Sequence, residues 1–353
     1  MDARERVMSV LDGEMPDRLP QLIYQNLLPR GSLERRLRNM GLGVEYHCSV
    51  HASETPNVSQ DCREEGGYEV TDTTAPPGRL RSLRKLNMTF QNPGGSWQTE
   101  YPVKTAGDLE VLNFMLEDAE HRPDFEEYRR LSREVGGDGI VTVMATRTPA
   151  MYLIVHYMGY RTFSVLLHRH PEALDETLAI ADRSFTEICR IVAESPAEIT
   201  WVPDNIDEVL MPPVLFERYC LPYLDKYTSI LQRGGKRVIS HMDGRLRSLK
   251  ELVASTSLDA IEAFTPPPMG NLPVAEAREA WPGKVIWFNF PEVIFLEPRE
   301  RIREFTLGLM REMGDGSGFI MSITEDIHPD HFRKGLETLT TVLQENGSLP
   351  LNF

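Results

Sequence analysis

The chain has 353 residues, with 38 Lys plus Arg against 53 Asp plus Glu and a formal net charge of −15. That balance excludes the dense basic footprint that displaces counterions from nucleic acid, and equally an electrostatic anchor on anionic lipid. At 41% hydrophobic and 26% charged residues the composition is that of a folded globular chain. No apolar run reaches the roughly 18 residues of a membrane-spanning helix. The charged start, MDARERVMSVLDGE, lacks the apolar centre of a signal peptide. A cytoplasmic protein is the expectation. Cys48, Cys62, Cys189 and Cys220 stand far apart without a CxxC pair and read as free thiols.

In chain order, short apolar runs alternate with amphipathic stretches. Residues 19–24 (LPQLIY), 140–145 (IVTVMA), 199–203 (ITWVP), 238–241 (VISH), 260–264 (AIEAF), 285–290 (VIWFNF) and 319–323 (FIMSI) read as seven strands. Each is nearly continuous in apolar residues, as parallel strands covered on both faces require. Helical patterning fills residues 171–194, 214–232, 246–254, 274–280, 299–313 and 329–344, and Pro171 suits the first turn of its helix. Such strand–helix units point to a parallel sheet, open or closed into a barrel, although seven strands are one short of eight. Residues 66–104 break the rhythm with the turn signals APPG and NPGG. They read as a small antiparallel excursion after the first strand.

In a parallel barrel the chemistry gathers where strands end. The first strand delivers Tyr24 and Gln25, the second Arg147, and the third Asp204 and Asn205. Glu262 and Asn289 interrupt buried-type runs, where an unpaired polar group costs several kcal/mol. His241 and Asp243 lie two apart in ISHMDG, so an extended backbone aims both to one side. They suit a shared divalent metal, with Glu325 as a further candidate ligand, or a His–carboxylate pair for acid–base work. The plain alternative is a turn aspartate beside a core histidine. Arg147, beside a carboxylate-rich rim, suits an anionic group of the substrate.

RERVMSVLDGEMPDRLP, TAPPGRLRSLRK, GSWQTEYPVKTAGDLEVL, DNIDEVLMPPVLFERYCLPYLDKY, VISHMDG and GNLP, in this order and spacing, resemble segments of the uroporphyrinogen decarboxylase (URO-D) superfamily. The resemblance spans Arg4 to Leu343 and implies a (β/α)8 TIM-type barrel, one domain over residues 1–353, with the β insertion at about 66–104. True decarboxylases of the superfamily carry an RQAGRY-type loop after the first strand and a GHG-type segment near the last. This chain has YQNLLPRGSLERR and MSITEDIHP instead. The other branch moves methyl groups between corrinoid proteins, thiols or folates and methylated substrates, its thiol-activating members holding zinc with an HxC pair and a later cysteine. Here His241 carries over, while Asp243 and the Thr324–Glu325 region replace the thiolates. The resemblance therefore implies an O-demethylase-like methyltransferase. Its zinc would sit at His241, Asp243 and Glu325, and its methyl acceptor would be a cobalamin on a partner protein. Asp204, Asn205, Glu262, Asn289, Tyr24 and Gln25 would shape the pocket. A homodimer is a further expectation, and the alternative activity is cofactor-independent decarboxylation of a carboxylate substrate.

Overall fold

The computed structural model describes residues 1–90 and 95–353. Eight parallel strands form the central sheet: β1 (Gln21–Tyr24), β2 (Leu42–Cys48), β3 (Gly139–Met144), β4 (Ile199–Val202), β5 (Arg237–His241), β6 (Ala260–Phe264), β7 (Val285–Phe288) and β8 (Phe319–Ile320), each bonded to the next in this order. The sheet closes on itself. Leu22 N donates to Met321 O at 2.8 Å, Met321 N to Pro20 O at 2.9 Å and Tyr24 N to Ile323 O at 3.1 Å. The architecture is the (β/α)8 barrel that the resemblance implied.

The missing eighth strand is β2. Its Leu42, Val44 and Tyr46 pack outward under the helices, and its Glu45 and His47 occupy the alternate positions. Its neighbour demands a glycine, because a Cβ at Gly139 would meet Val44 O at 1.9 Å. The insertion consequently follows β2 and is wider than 66–104. It comprises the pair His51–Glu54 with Glu120–Pro123 and a four-stranded antiparallel sheet of Ser59–Glu65, Tyr68–Ala75, Gly78–Lys85 and Trp97–Glu100. The strand Ser59–Glu65 (SQDCREE) is exposed throughout, so it has no apolar alternation to betray it. Of the NPGG signal, residues 92–94 lie outside the described residues.

The helices Pro171–Glu194 and Val274–Ala280 have the expected bounds. The stretch 214–232 instead divides into Pro213–Tyr219 and Leu221–Arg233. Pro222, lacking an amide hydrogen, starts the second helix rather than continuing the first. Among the described residues no helix is long and apolar enough to cross a membrane.

The barrel interior has two storeys. At the strand starts Leu22, Ile140, Ile199, Ile239, Ala260 and Val285 form an apolar floor with Trp287 and Ile320. Val7, Val10 and Leu11 of helix α1 (Ala3–Leu11) plug it from below. Each such side chain contributes about 1.5–3 kcal/mol on burial. A Cβ at Gly43 would lie 2.9 Å from the Ala3 Cβ, so β2 leaves the helix room to seat. Two residues further along the same strands, on the same face, stand Tyr24, Thr142, Trp201, His241 and Glu262. That polar storey opens to the barrel mouth.

Candidate active site at the barrel mouth

Glu262 is fully buried at the centre of the upper storey. Three groups donate to its carboxylate: Tyr24 Oη to Oε1 at 2.7 Å, Trp201 Nε1 to Oε2 at 2.9 Å, and the His241 Nδ1 at 2.7 Å from Oε2. A register shift between Ile261 and Phe264 interrupts β6 here, and Ala263 takes the left-handed φ of 58°. Such irregularities re-aim a side chain at a functional site and cost backbone energy elsewhere repaid. With Nδ1 donating to Glu262, the other ring nitrogen of His241, Nε2, faces Asp243 Oδ2 at 3.6 Å. The two-residue spacing read from ISHMDG thus brings both side chains together.

Burial alone would depress the His241 imidazolium. The charges and hydrogen bonds of Glu262 and Asp243 outweigh it and raise the ring from 6.5 to about 10. Burial likewise pushes the Asp243 carboxyl up, but the His241 hydrogen bond and charge hold it below the usual range. Tyr24 is pushed well above 10 by burial and by the Glu262 charge, so it remains a donor.

A second histidine–carboxylate pair, which the strand-end reading missed along with Trp201, lies on β2. Glu45 is fully buried; its Oε1 accepts from Thr142 Oγ1 at 3.3 Å and lies 3.2 Å from His47 Nε2, while Oε2 has no partner among the described residues. Burial raises the Glu45 carboxyl. The His47 ring lies 4.5 Å from both Tyr24 and Trp201, the two residues that hold Glu262. A polar residue at every second position of an otherwise apolar run was the available signal.

Beside this centre, Asp204 is fully buried, with Oδ1 accepting from Thr148 N at 2.7 Å and Oδ2 without a partner among the described residues. Burial raises its carboxyl to about 6. Arg147 donates from Nη1 to Asn205 Oδ1 at 2.8 Å and from Nε to His156 Nε2 at 3.3 Å. Asn205 holds this position with a left-handed φ of 54°, which asparagine tolerates. Asn289 instead bonds the loops together, donating to Thr265 Oγ1 at 3.2 Å and accepting from Thr324 N at 3.2 Å. Gln25 begins the short turn Gln25–Leu27 half-buried and makes no side-chain bond to the His241 centre. Burial and the charges of Asp243 and Glu292 raise Glu325, which follows β8, to about 7.

The zinc set expected at His241, Asp243 and Glu325 meets only part of its geometry. His241 Nε2 and Asp243 converge, and the Glu262 bond to Nδ1 is the outer contact that a ligating histidine commonly makes. Among the described residues, however, no group of three or more His, Cys, Asp or Glu side chains is placed to hold a metal ion. The donors as they stand do not fit zinc.

A cavity of about 720 Å³ opens between the four-stranded insert sheet and the mouth, meeting the candidate residues at Arg147 and Asn205. A second, of about 370 Å³, lies behind Arg147 and Tyr152 against His51 and His121.

A closed barrel with an apolar floor and a carboxylate–imidazole centre at the strand ends is the build of an α/β-barrel enzyme scaffold. Residues 85–345 match the family model of uroporphyrinogen decarboxylase (URO-D), and the chain belongs to that family. No curated protein matches the chain by sequence. Among solved structures it is similar to a methyltransferase from Methanosarcina mazei, at 13% identity and a TM-score of 0.59, covering 98% of this chain and 99% of that one. A putative vitamin-B12 independent methionine synthase from Listeria monocytogenes aligns at 13% identity and a TM-score of 0.37 over 67% of this chain and 68% of that one, too loosely to carry an argument.

Proposed function

We propose that the protein is a methyltransferase that removes a methyl group from the oxygen of a small methylated compound, with His241 as the proton donor. The observation that carries this reading is the clamped His241 ring, held by Glu262 at 2.7 Å and facing Asp243 at 3.6 Å. The whole-length likeness in fold to the Methanosarcina mazei methyltransferase supports the same class.

As the carbon–oxygen bond breaks, its electron pair stays on the oxygen and negative charge develops there. The Nε2 proton of His241 moves to that oxygen, while Glu262, with Tyr24 and Trp201 bonded to it, keeps the ring oriented through Nδ1. A phenolic oxygen, ordinarily titrating at about 10, leaves with its electron pair far more readily than an aliphatic alkoxide, so a proton donor alone serves an aryl ether better than an alkyl one. The favoured substrate is therefore an aryl methyl ether. A corrinoid carried by a partner protein would supply the methyl acceptor.

The test is an assay of the purified chain with a panel of aryl and alkyl methyl ethers and reduced cobalamin, following methylcobalamin and the demethylated product. The expected result is methyl transfer from an aryl ether that is lost in His241→Ala. The family match favours one competing reading, cofactor-independent decarboxylation. Carbon dioxide released from a carboxylate substrate, with no methyl transfer from any ether, would establish that reading instead.

A further inference from the structure

The 720 Å³ cavity is far larger than a small methylated compound requires, and its chemistry differs from that of the His241 centre. One wall is the insert sheet, with Arg84 and Trp97; the opposite wall is the β3 end and the turn of π-helix Leu153–Met158, which carries His156. π-Helical turns are rare and gather at functional sites.

Three groups in this cavity favour a negative charge. Arg147 spends Nη1 on Asn205 and Nε on His156, which leaves Nη2 unengaged among the described residues. His156 accepts that bond through Nε2, so its hydrogen sits on Nδ1. Burial, with Arg147 and Arg84 as the charges acting on the ring, presses it down to about 4 and keeps it neutral. Among the described residues Glu69 is the one carboxylate lining the cavity; it forms an ion pair with Arg84 at 3.9 Å, too long for a hydrogen bond, so the guanidinium keeps its donors for a ligand. The net charge of −15 opposes anions at long range. Screening over about 8 Å removes most of that field, whereas the guanidinium groups act at contact.

The remaining lining is flat and apolar. Trp97 is 68% exposed, although a tryptophan on a strand ordinarily buries its ring. Tyr101 and Tyr160 line the same space.

We propose that this cavity binds a planar aromatic carboxylate, its carboxylate on Arg147 and Arg84 beside His156 and its ring against Trp97 and Tyr101. The proposal adds a ligand site beside the His241 centre and does not rest on methyl transfer there.

Isothermal titration calorimetry of the full chain with three probes of one shape and different charge tests it: 4-methoxybenzoate, 4-methoxybenzyl alcohol and 4-methoxybenzylamine. The benzoate should bind about tenfold or more tightly than the alcohol, the margin of a charge-assisted hydrogen bond. The amine should bind more weakly than either. Arg84→Gln, at an exposed position outside the barrel core, should remove most of the benzoate's advantage and leave the alcohol unchanged. Trp97→Ala should weaken benzoate and alcohol alike. The proposal is overturned if the alcohol or amine matches the benzoate, if benzoate does not bind, or if Arg84→Gln binds benzoate as the parent does. Benzoate that binds without losing its methyl group supports the proposal and counts only against the reading of the His241 centre.

Discussion

The floor and the mouth of this barrel are built from the same strands, two residues apart, and they have opposite characters. Leu22 and Tyr24, Ile199 and Trp201, Ile239 and His241, Ala260 and Glu262 each pair a packing residue with a polar one on the same face. The floor is sealed by α1 and gains its stability from apolar area. The mouth holds two buried glutamates, Glu45 and Glu262, in an interior that would reject them unpaired. The difference teaches that one strand register supplies both stability and chemistry, and that substitutions should separate the two by storey.

The sharpest separation is expected at His241. His241→Ala should lower methyl transfer by about 10²- to 10⁴-fold, the usual worth of a positioned proton donor. Activity measured alongside circular dichroism would check that the fold survives. Glu262→Gln should follow, because it leaves the His241 imidazolium without its closest counter-charge. A loss of about 3–5 kcal/mol in chemical denaturation, together with impaired activity, is the expected outcome. On the floor, Leu22→Ala or Ile239→Ala should cost about 2–5 kcal/mol of stability while leaving the pH dependence of turnover unchanged. A floor variant that shifts that pH profile would break the comparison.

Two sets of titratable groups pull stability in opposite directions below neutrality. His51 and His156, pressed by burial to about 4, stabilise the fold as pH rises from there to 6.5, whereas two carboxylates act the other way. Burial raises Asp204 from 3.8 to about 6 and Glu325 from 4.5 to about 7. The folded state therefore binds these protons more tightly than the unfolded chain. Their stabilisation is complete below the ordinary values and is lost as pH rises through about 6 and about 7. His241 acts in the same direction, complete below 6.5 and lost through about 10. The Tm should therefore change little below neutrality and drop from there into alkali, and Glu325→Gln should tilt the curve upward between about 4.5 and about 7. The smallest effect is expected at the plug. Asp2 caps α1 by accepting from Glu5 N at 2.8 Å, and Asp2→Ala should cost about 1 kcal/mol without touching activity.

Seven of the eight barrel strands were legible because their apolar runs are long and continuous, as the stretch VIWFNF shows. Strand β2 escaped for a functional reason: Glu45 and His47 face the site, so its pattern lacks the continuous apolar run of a doubly buried strand. The same physics hid the second histidine–carboxylate pair and the role of Trp201, whose indole contacts Glu262 across the barrel. His241, Asp243 and Glu262 were legible as polar residues in or just after apolar strands, yet their order was not. Sequence spacing paired His241 with Asp243, whereas the tighter partner, at 2.7 Å, is Glu262 on the next strand. Arg147 and Asn205 were readable as strand-end residues, but the cavity they border depends on an insert sheet whose first strand is wholly polar.

The central claim is that His241 is held as an imidazolium at neutral pH by the carboxylates around it. A pH titration of the histidine rings by nitrogen-15 NMR, in the parent chain and in Glu262→Gln, tests it most directly. His241 should stay protonated well above 6.5, toward about 10, and fall back toward the ordinary value when Glu262 is replaced. A ring that titrates near 6.5 in the parent chain, or that is unmoved by Glu262→Gln, would contradict it.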